Sequence, residues 1–342
     1  MNDDVLSLLK DRVDYLSGEA ISRLLGVSRT AVWKTVGKLR QSGYTIAAVP
    51  NRGYRLIGHP DILSESEITA MLKNNHLDSR FLKTCYMSQT DSTNLVARRA
   101  AESGAPDGSL YVAGQQTAGR GRNGRVWSSQ ADQDLTFSIL LRPRDEPAAL
   151  TGTTLLAGLC TATAINDMIG LTTPATGPAE STSCRAGIKW PNDLVFAGSG
   201  RKIGGILTES MIEDNRVQAL VIGIGINVNT EVFPEPLVSV ASSLRQGLGQ
   251  PINRLDLLRL ILQAFSRRLD HMTDIGGWLP EYRRLCLTLG REVKVIASNG
   301  TTQVGRAVDL DAAGELIIED GAGKTQIVRS GEVSVRGLLG YT

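Results

Sequence analysis

The chain has 342 residues, 42% of them hydrophobic and 21% charged, with a net charge of +2. That length allows two or three domains with a sizeable core, and the composition is that of an ordinary globular protein. No run approaches the roughly 20 consecutive apolar residues of a membrane span. The start, with Asp3 and Asp4, lacks the basic-then-apolar plan of an export leader, so a cytoplasmic protein is expected. Cys85, Cys160, Cys184 and Cys286 lie far apart and only three histidines are present, which argues for reduced thiols and against a dedicated metal site.

The charge is unevenly spread. Residues 1–57 hold nine Lys/Arg against five Asp/Glu, a surplus of four, and residues 20–56 hold seven cations and no acid. A short helix is expected over 20–25, with Ile21, Leu24 and Leu25 inward, then a turn at Gly26-Val27. A second helix runs from the N-cap Ser28 to about Ser42, with Gly43 just beyond it. Val32, Val36 and Leu39 should face the core, leaving Arg29, Thr30, Lys34, Thr35 and Lys38 outward. Two strands, 45–49 and 54–57, flank the turn Pro50-Asn51-Arg52-Gly53. Helix, turn, helix and basic hairpin read as a winged helix-turn-helix domain over 1–62. Its DNA-facing residues would be Ser28, Arg29, Thr30, Lys34, Thr35, Lys38 and Arg52. A protein-interaction module with a solvated basic face is the competing reading. Cations gathered without anions repel one another unless phosphates offset them, which favours DNA.

A polar linker after Gly58 leads to a helix starting near Ser64 or Glu65, and a middle block, 63–288, alternates strand-like and helix-like segments. Strands are expected at 110–114, 135–141, 187–190, 194–196, 202–209 and 218–227, and helices at 151–169 and 253–272. Residues 172–186, mostly Thr, Ser, Pro, Ala and Gly, read as a surface insertion. From 289 to 342 the texture changes to five short strands (293–296, 303–309, 316–319, 326–330, 333–336) parted by glycine turns, which suggests a small SH3-like β-barrel. The expected class is α+β multidomain: a winged helix, a central mixed-sheet α/β domain and the barrel.

Between Ala118 and Arg125 stand three arginines and three glycines in eight residues, with Trp127 just behind. Arginine offers a permanent charge in a fork that fits phosphate and carboxylate, and glycine lets backbone close around an anion. Such a loop can order as its ligand arrives; standing alone it could equally be a solvated basic loop. Three further polar clusters sit at strand ends or in loops: Asp91-Ser92-Thr93-Asn94, Lys189-Trp190-Pro191-Asn192-Asp193 followed by Arg201-Lys202-Ile203-Gly204-Gly205, and Gly223-Ile224-Gly225-Ile226-Asn227. Taken singly each has a structural explanation. Ser92 could cap a helix, Trp190-Pro191 could be core, Gly223 and Gly225 could mark close strand packing, and Lys202 could be a solvated edge lysine.

In this order, and with Gln116 leading the arginine loop, the clusters resemble the motifs of biotin–protein ligases. The N-terminal winged helix resembles that of their bifunctional form, which also represses transcription. The likeness runs from Gly18 to Arg336. It implies a two-step reaction: biotin carboxylate attacks the α-phosphate of ATP, and a lysine of a biotin carboxyl carrier domain then attacks the resulting mixed anhydride. By the same resemblance, Ser92, Thr93, Asn94 and Gln116 would bind the polar end of biotin, while Arg120, Gly121 and Arg122 wrap the acyl-phosphate. Lys202 would bridge carboxylate and α-phosphate, and Asp193 would orient the incoming lysine or take its proton; with Arg122 these form the implied catalytic set. Trp127, Asn192, Asn227 and Arg336 would serve the nucleotide, Mg²⁺ arriving with ATP rather than in a site of its own.

The implied partners are the carrier protein, operator DNA and a second copy of the chain, with no membrane. Dimers would form by pairing of middle-domain sheets, with 202–209 as the candidate free edge, and bound adenylate would favour them and so operator binding. Asn123 and Val126 stand where some relatives have basic residues. A biotin-sensing transcription factor without ligase activity and a lipoate-type ligase are the competing functions.

Overall fold

The structure is a computed structural model of the chain; it describes all residues except 1, 11, 13, 59, 76, 78, 173–182, 298–299, 330–332 and 338–342. Two compact units divide the chain, Met1–Ile62 and Leu63–Thr342.

The first unit holds α1 (Asn2–Lys10), α2 (Gly18–Leu25), α3 (Arg29–Gln41) and the hairpin β1 (Thr45–Val49) and β2 (Gly53–Gly58). Ser17 caps α2 by accepting from the Ala20 amide, and Gly26, at φ 65°, ends it; Ser28 caps α3 by accepting from the Ala31 amide. Val5, Leu9, Ile21, Val32, Val36, Leu39 and Ile46 close the small core. Two expectations need correction, and one helix was not anticipated. Helix α1 packs on both α2 and α3. Leu24 is 60% exposed, so the inward face of α2 is narrower than a Leu-Leu pair suggests. Thr35, assigned to the DNA-facing set, is buried with Val32, Val36 and Leu39, the i, i+3, i+4, i+7 stripe to which its position belongs.

The second unit is built on a seven-stranded sheet in the order β3-β4-β7-β11-β10-β9-β8. Its strands are β3 (Thr84–Met87), β4 (Ser109–Ala113), β7 (Leu135–Leu141), β8 (Ala186–Lys189), β9 (Asp193–Phe196), β10 (Lys202–Glu213) and β11 (Arg216–Ile226). The arginine loop contributes a separate two-rung hairpin, β5 (Gly119–Arg120) and β6 (Val126–Trp127). Among the described residues β3 and β4 are the only neighbouring strands of this sheet that pair in parallel. Strands buried on both faces read as continuous apolar runs, and β7 and β11 at the centre are of that kind.

Helices lie on both faces. On one, α6 (Thr153–Thr172), α8 (Arg254–Ser266) and α9 (Ile275–Leu285) cover the main core, flanked by α4 (Glu65–Asn74) and the short α7 (Leu244–Leu248). On the other lies α5 (Thr93–Glu102), over Tyr111, Leu140, Ala219 and Val221. By length and hydropathy the stretch Pro147–Thr172 could cross a membrane, contrary to the sequence reading, but 72% of its most apolar window is buried inside the protein, where it forms the core of α6. Strand β10 is no free edge at its start: Lys202, Gly204 and Gly205 pair with β9, and the sheet edges are β3 and β8. The expected insertion falls mostly on 173–182, outside the described residues.

The last five strands, β12 (Glu292–Ala297), β13 (Thr302–Leu310), β14 (Leu316–Glu319), β15 (Thr325–Val328) and β16 (Val333–Gly337), form one antiparallel sheet in the order β15-β14-β13-β12-β16. Among the described residues no ladder joins β15 to β16, so the expected barrel is seen as five strands without closure. Its apolar side, including Val293, Ala307, Leu316 and Ile318, is continuous with the main core. The β13–β14 turn reaches the Trp190-Pro191 segment: the Trp190 indole N–H donates to Gly314 O at 3.0 Å.

In the first unit the wing is held by Leu16 and Tyr54, whose amides and carbonyls exchange hydrogen bonds of 2.8 and 2.9 Å. Gly53 beside them has φ 107°, and a Cβ there would collide with Leu16 O. Gly53→Ala is expected to destabilise this unit by about 1–3 kcal/mol, seen as faster hydrogen exchange in β1, β2 and α3 with exchange in the seven-stranded sheet unchanged.

Candidate active site

A cavity of about 840 Å³ opens on the α5 side of the sheet, lined wholly by residues of the second unit. Its floor follows from strand alternation. Ile222, Ile224 and Ile226 of β11 point into the main core, so Gly223 and Gly225 point to the cavity. The glycines make room. A Cβ on Gly223 would collide with Asn94 Oδ1, and one on Gly225 would lie 2.6 Å from the Trp127 indole.

At one end of the floor stand Ser92, Thr93 and Asn94, all buried, where the chain enters α5. Ser92 holds the N-cap position yet its side chain makes no cap hydrogen bond, so the helix does not use up its hydroxyl. The Thr93 amide and Oγ1 both donate to Gln116 Oε1, at 2.7 and 3.1 Å. Ser138 Oγ lies 2.7 Å from both Thr93 Oγ1 and Asn94 Oδ1. Asn94 Nδ2 donates to Glu209 Oε2 at 2.8 Å. The far end of α5 is tied down by Arg142, whose guanidinium donates to Ala101 O and Ala105 O at 2.7 Å and to Gln218 O at 2.9 Å. Both ends of the helix are therefore fixed to the sheet.

The arginine hairpin arches over this floor. Its turn, Arg122–Gly124, passes through Asn123 at φ 55° and Gly124 at φ 71°, and the Gly121 amide donates to Arg125 O at 2.7 Å. Arg120 reaches Glu209 Oε1 at 3.4 Å. Arg122 donates to Asn192 Oδ1 at 3.2 Å. Burial pulls the Arg122 guanidinium below the usual arginine range, with the carboxylates of Asp193 and then Glu315 opposing and Arg125 adding to the shift. The Trp127 indole N–H is buried without a hydrogen-bond partner.

The opposite wall comes from β9 and β10. The antiparallel register sets Asp193 opposite Gly205 and Lys202 opposite Val195, and the long Lys202 side chain crosses the space left beside Gly205 to bring its Nζ within 2.6 Å of Asp193 Oδ1. The same ammonium lies 5.7 Å from the centre of the Trp127 ring. Asn192 Nδ2 donates to Ile206 O at 3.0 Å, and Asn227 Nδ2 donates to Ser242 O at 3.0 Å, so both amides already brace backbone. The Trp190–Pro191 peptide is cis.

Ser92, Thr93, Asn94, Gln116, Arg120, Gly121, Arg122, Trp127, Asn192, Asp193, Lys202 and Asn227 thus line one cavity, although they come from segments more than a hundred residues apart. Arg336 is not placed with them: its backbone pairs with Lys294 in β16, and its side chain lies outside the described residues. Three residues were missed. Ser138 sits inside an apolar strand, and only its alternation with Phe137 and Ile139 could have shown it facing α5. Glu209 lies two residues beyond the Gly-Gly-Ile-Leu run. Lys189, 6% exposed and lining the cavity, was quoted in its motif without a role.

On the first unit Ser28, Arg29, Thr30, Lys34, Lys38 and Arg52 are exposed. The Arg52 and Arg55 guanidiniums each lie 4.9 Å from the Tyr15 ring centre, which orients the wing's cations.

Three family models match: the Biotin/lipoate A/B protein ligase family over residues 86–227, an HTH domain over 2–55, and the Biotin protein ligase C terminal domain over 288–336. The bifunctional ligase/repressor BirA of Bacillus subtilis is 39% identical over 92% of each chain, and that of Escherichia coli 28% identical over 94% of each. The biotin protein ligase of Aquifex aeolicus, solved in complex with biotin and ATP, superposes with a TM-score of 0.61 at 30% identity, covering 75% of this chain and all of that one. With that relationship extending through the helix-turn-helix unit, the cavity and the C-terminal sheet, the chain belongs to the biotin protein ligases, in their bifunctional ligase/repressor branch.

Proposed function

We propose that the cavity activates biotin with ATP and passes it to a lysine of a biotin carboxyl carrier protein, while the first unit binds operator DNA as a biotin-responsive repressor. By function the chain divides into 1–62 for DNA, 63–288 for catalysis and 289–342 as a support for the nucleotide end. The observation that carries the reading is the convergence of Arg120, Arg122, Lys189 and Lys202 on a cavity whose other end is a neutral hydrogen-bonding cluster. A ureido group suits the neutral end and two mutually repelling anions suit the cationic one.

In the first step a biotin carboxylate oxygen attacks the α-phosphorus, the bond from phosphorus to the pyrophosphate oxygen breaks, and pyrophosphate leaves. Ser92, Thr93, Asn94 and Gln116 hold the vitamin's polar end. Arg120, Gly121 and Arg122 wrap the acyl-phosphate, and Lys202 turns from Asp193 toward the two anions, stabilising charge on the α-phosphoryl oxygens as it develops. The partnerless Trp127 N–H gains an acceptor from the ligand, its ring covering the nucleotide with Asn192, Asn227 and Arg336 around it. Mg²⁺ would arrive with the triphosphate and help to neutralise its charge, rather than occupy a site of its own on the chain. In the second step the carrier lysine amine attacks the acyl carbon, AMP leaves, and Asp193, released by Lys202, accepts the amine's proton.

A second copy of the chain belongs to this reading. Beyond Gly205, β10 pairs with no strand but β11 among the described residues, and past Ile206 and Leu207, whose backbone is bonded to Asn192 and Asn94, Thr208 to Glu213 offer an edge to another strand. A cytoplasmic setting suits the four unpaired cysteines.

Biotin-dependent ATP–pyrophosphate exchange tests the enzyme and sets it apart from a sensor; competition by lipoate sets it apart from a lipoate ligase. Arg122→Ala is expected to keep the fold and to cut adenylate formation by about 10²–10³; exchange at the parent rate would remove the loop from the chemistry. Deleting residues 1–62 should abolish operator shifts and leave exchange intact. Lys34→Ala should lower the slope of log affinity against log salt by about one unit, measured by titrations at several ionic strengths.

A further inference from the structure

The outward face of α3 carries two features that its cations do not explain. Trp33 is 65% exposed, the most exposed large apolar side chain described in Met1–Ile62. Gly37 follows one turn later. A Cβ built there meets nothing within 4 Å, and its backbone is ordinary right-handed helix, so no contact among the described residues requires glycine. Glycine weakens a helix interior relative to alanine, and an indole left in water adds nothing to folding. Both choices run against the unit's own stability.

Their place on the helix is specific. At 100° per residue, Thr30, Lys34, Gly37 and Gln41 fall opposite the buried Val32, Val36 and Leu39, with Trp33 on one flank and Lys38 on the other. Thr30, Lys34, Lys38 and Gln41 are exposed, and no acid occurs between residues 20 and 56. The face is thus a cationic ridge with a gap at its centre and a rigid apolar plate beside the gap, complementary to a polyanion whose grooves carry apolar groups.

We infer that Trp33 and Gly37 form the sequence-reading patch of the first unit on duplex DNA. Trp33 contacts the 5-methyl group of thymine in the major groove, and the missing side chain at Gly37 lets the duplex approach the helix backbone. Lys34 and Lys38 take phosphates and contribute affinity without sequence preference. This assignment rests on the DNA reading of the first unit and adds to it which residues discriminate.

The test uses the full chain and duplexes that it enriches from a randomised pool, with an unrelated duplex as reference. Gly37→Ala should slow hydrogen exchange in α3, up to about fivefold, yet weaken binding to the enriched duplex about tenfold or more. A change that firms the helix while harming binding is not what a merely structural role would give. Trp33→Gln should lower the ratio of enriched to unrelated affinity about tenfold, leaving the salt slope unchanged, whereas Lys34→Ala lowers both affinities and the slope. Replacing the thymines of the enriched duplex by uracil should reproduce the loss seen with Trp33→Gln. Parent affinity in Gly37→Ala, or equal loss on both duplexes in Trp33→Gln, would overturn the assignment. Failure of the parent chain to enrich any duplex would instead overturn the DNA reading itself.

Discussion

The site depends on compensation of charge. A cavity prepared for two anions gathers cations, and cations held in a partly buried space repel one another unless each has an answering group. Three of the cations that line it show theirs directly: Lys202 has the Asp193 carboxylate at 2.6 Å, Arg122 has the Asn192 carbonyl oxygen at 3.2 Å, and Arg120 has the Glu209 carboxylate at 3.4 Å. These partners are yielded only to a better anion. The partly exposed Arg120–Glu209 pair is worth little in water, an amide oxygen is a weaker partner for a guanidinium than a phosphate is, and the largely buried Lys202–Asp193 pair opens when an incoming anion replaces the carboxylate. The resting contacts keep the cations in place without holding them against a better anion.

The supports of this arrangement lie in distant parts of the chain. Glu209 links the hairpin's Arg120 to Asn94 on the sheet floor, so the neutral and cationic ends of the cavity share one carboxylate. Arg142 fixes the far end of α5 through the Ala101 and Ala105 carbonyls while bonding Gln218 O of β11, which holds Ser92 to Asn94 at the near end. The β13–β14 turn accepts the Trp190 indole, so the segment carrying Asn192 and Asp193 is braced from the C-terminal sheet. Glu315 in the same turn acts on the Arg122 charge. The C-terminal sheet in this sense braces the cavity wall from behind.

Most strands and the main helices were legible in the sequence because apolar alternation and glycine turns are local signals, and the arginine loop and the Lys-Trp-Pro-Asn-Asp run stood out because their composition is unusual. What escaped depended on neighbours. Thr35 reads as polar and outward until the packing of α3 places it in the stripe with Val32 and Leu39. Ser138 is hidden among apolar residues whose partners on α5 lie some 45 positions away. The free edge expected at Lys202 disappears because β9 turns back to pair there, a fact of topology that composition does not carry. The apolar length of α6 looks like a span or a core helix according to what covers it, and the covering comes from α8 and α9.

One consequence follows from the alternation of glycine and isoleucine along β11. The strand's two faces do opposite work: the side chains seal the interior, and their absence makes the floor on which the vitamin would lie. A displacement of β11 by a single residue against β7 would drive isoleucines into the chamber and empty the interior at once. Correct folding and a usable chamber are therefore the same alignment, and a molecule that kept its core could not have lost its floor.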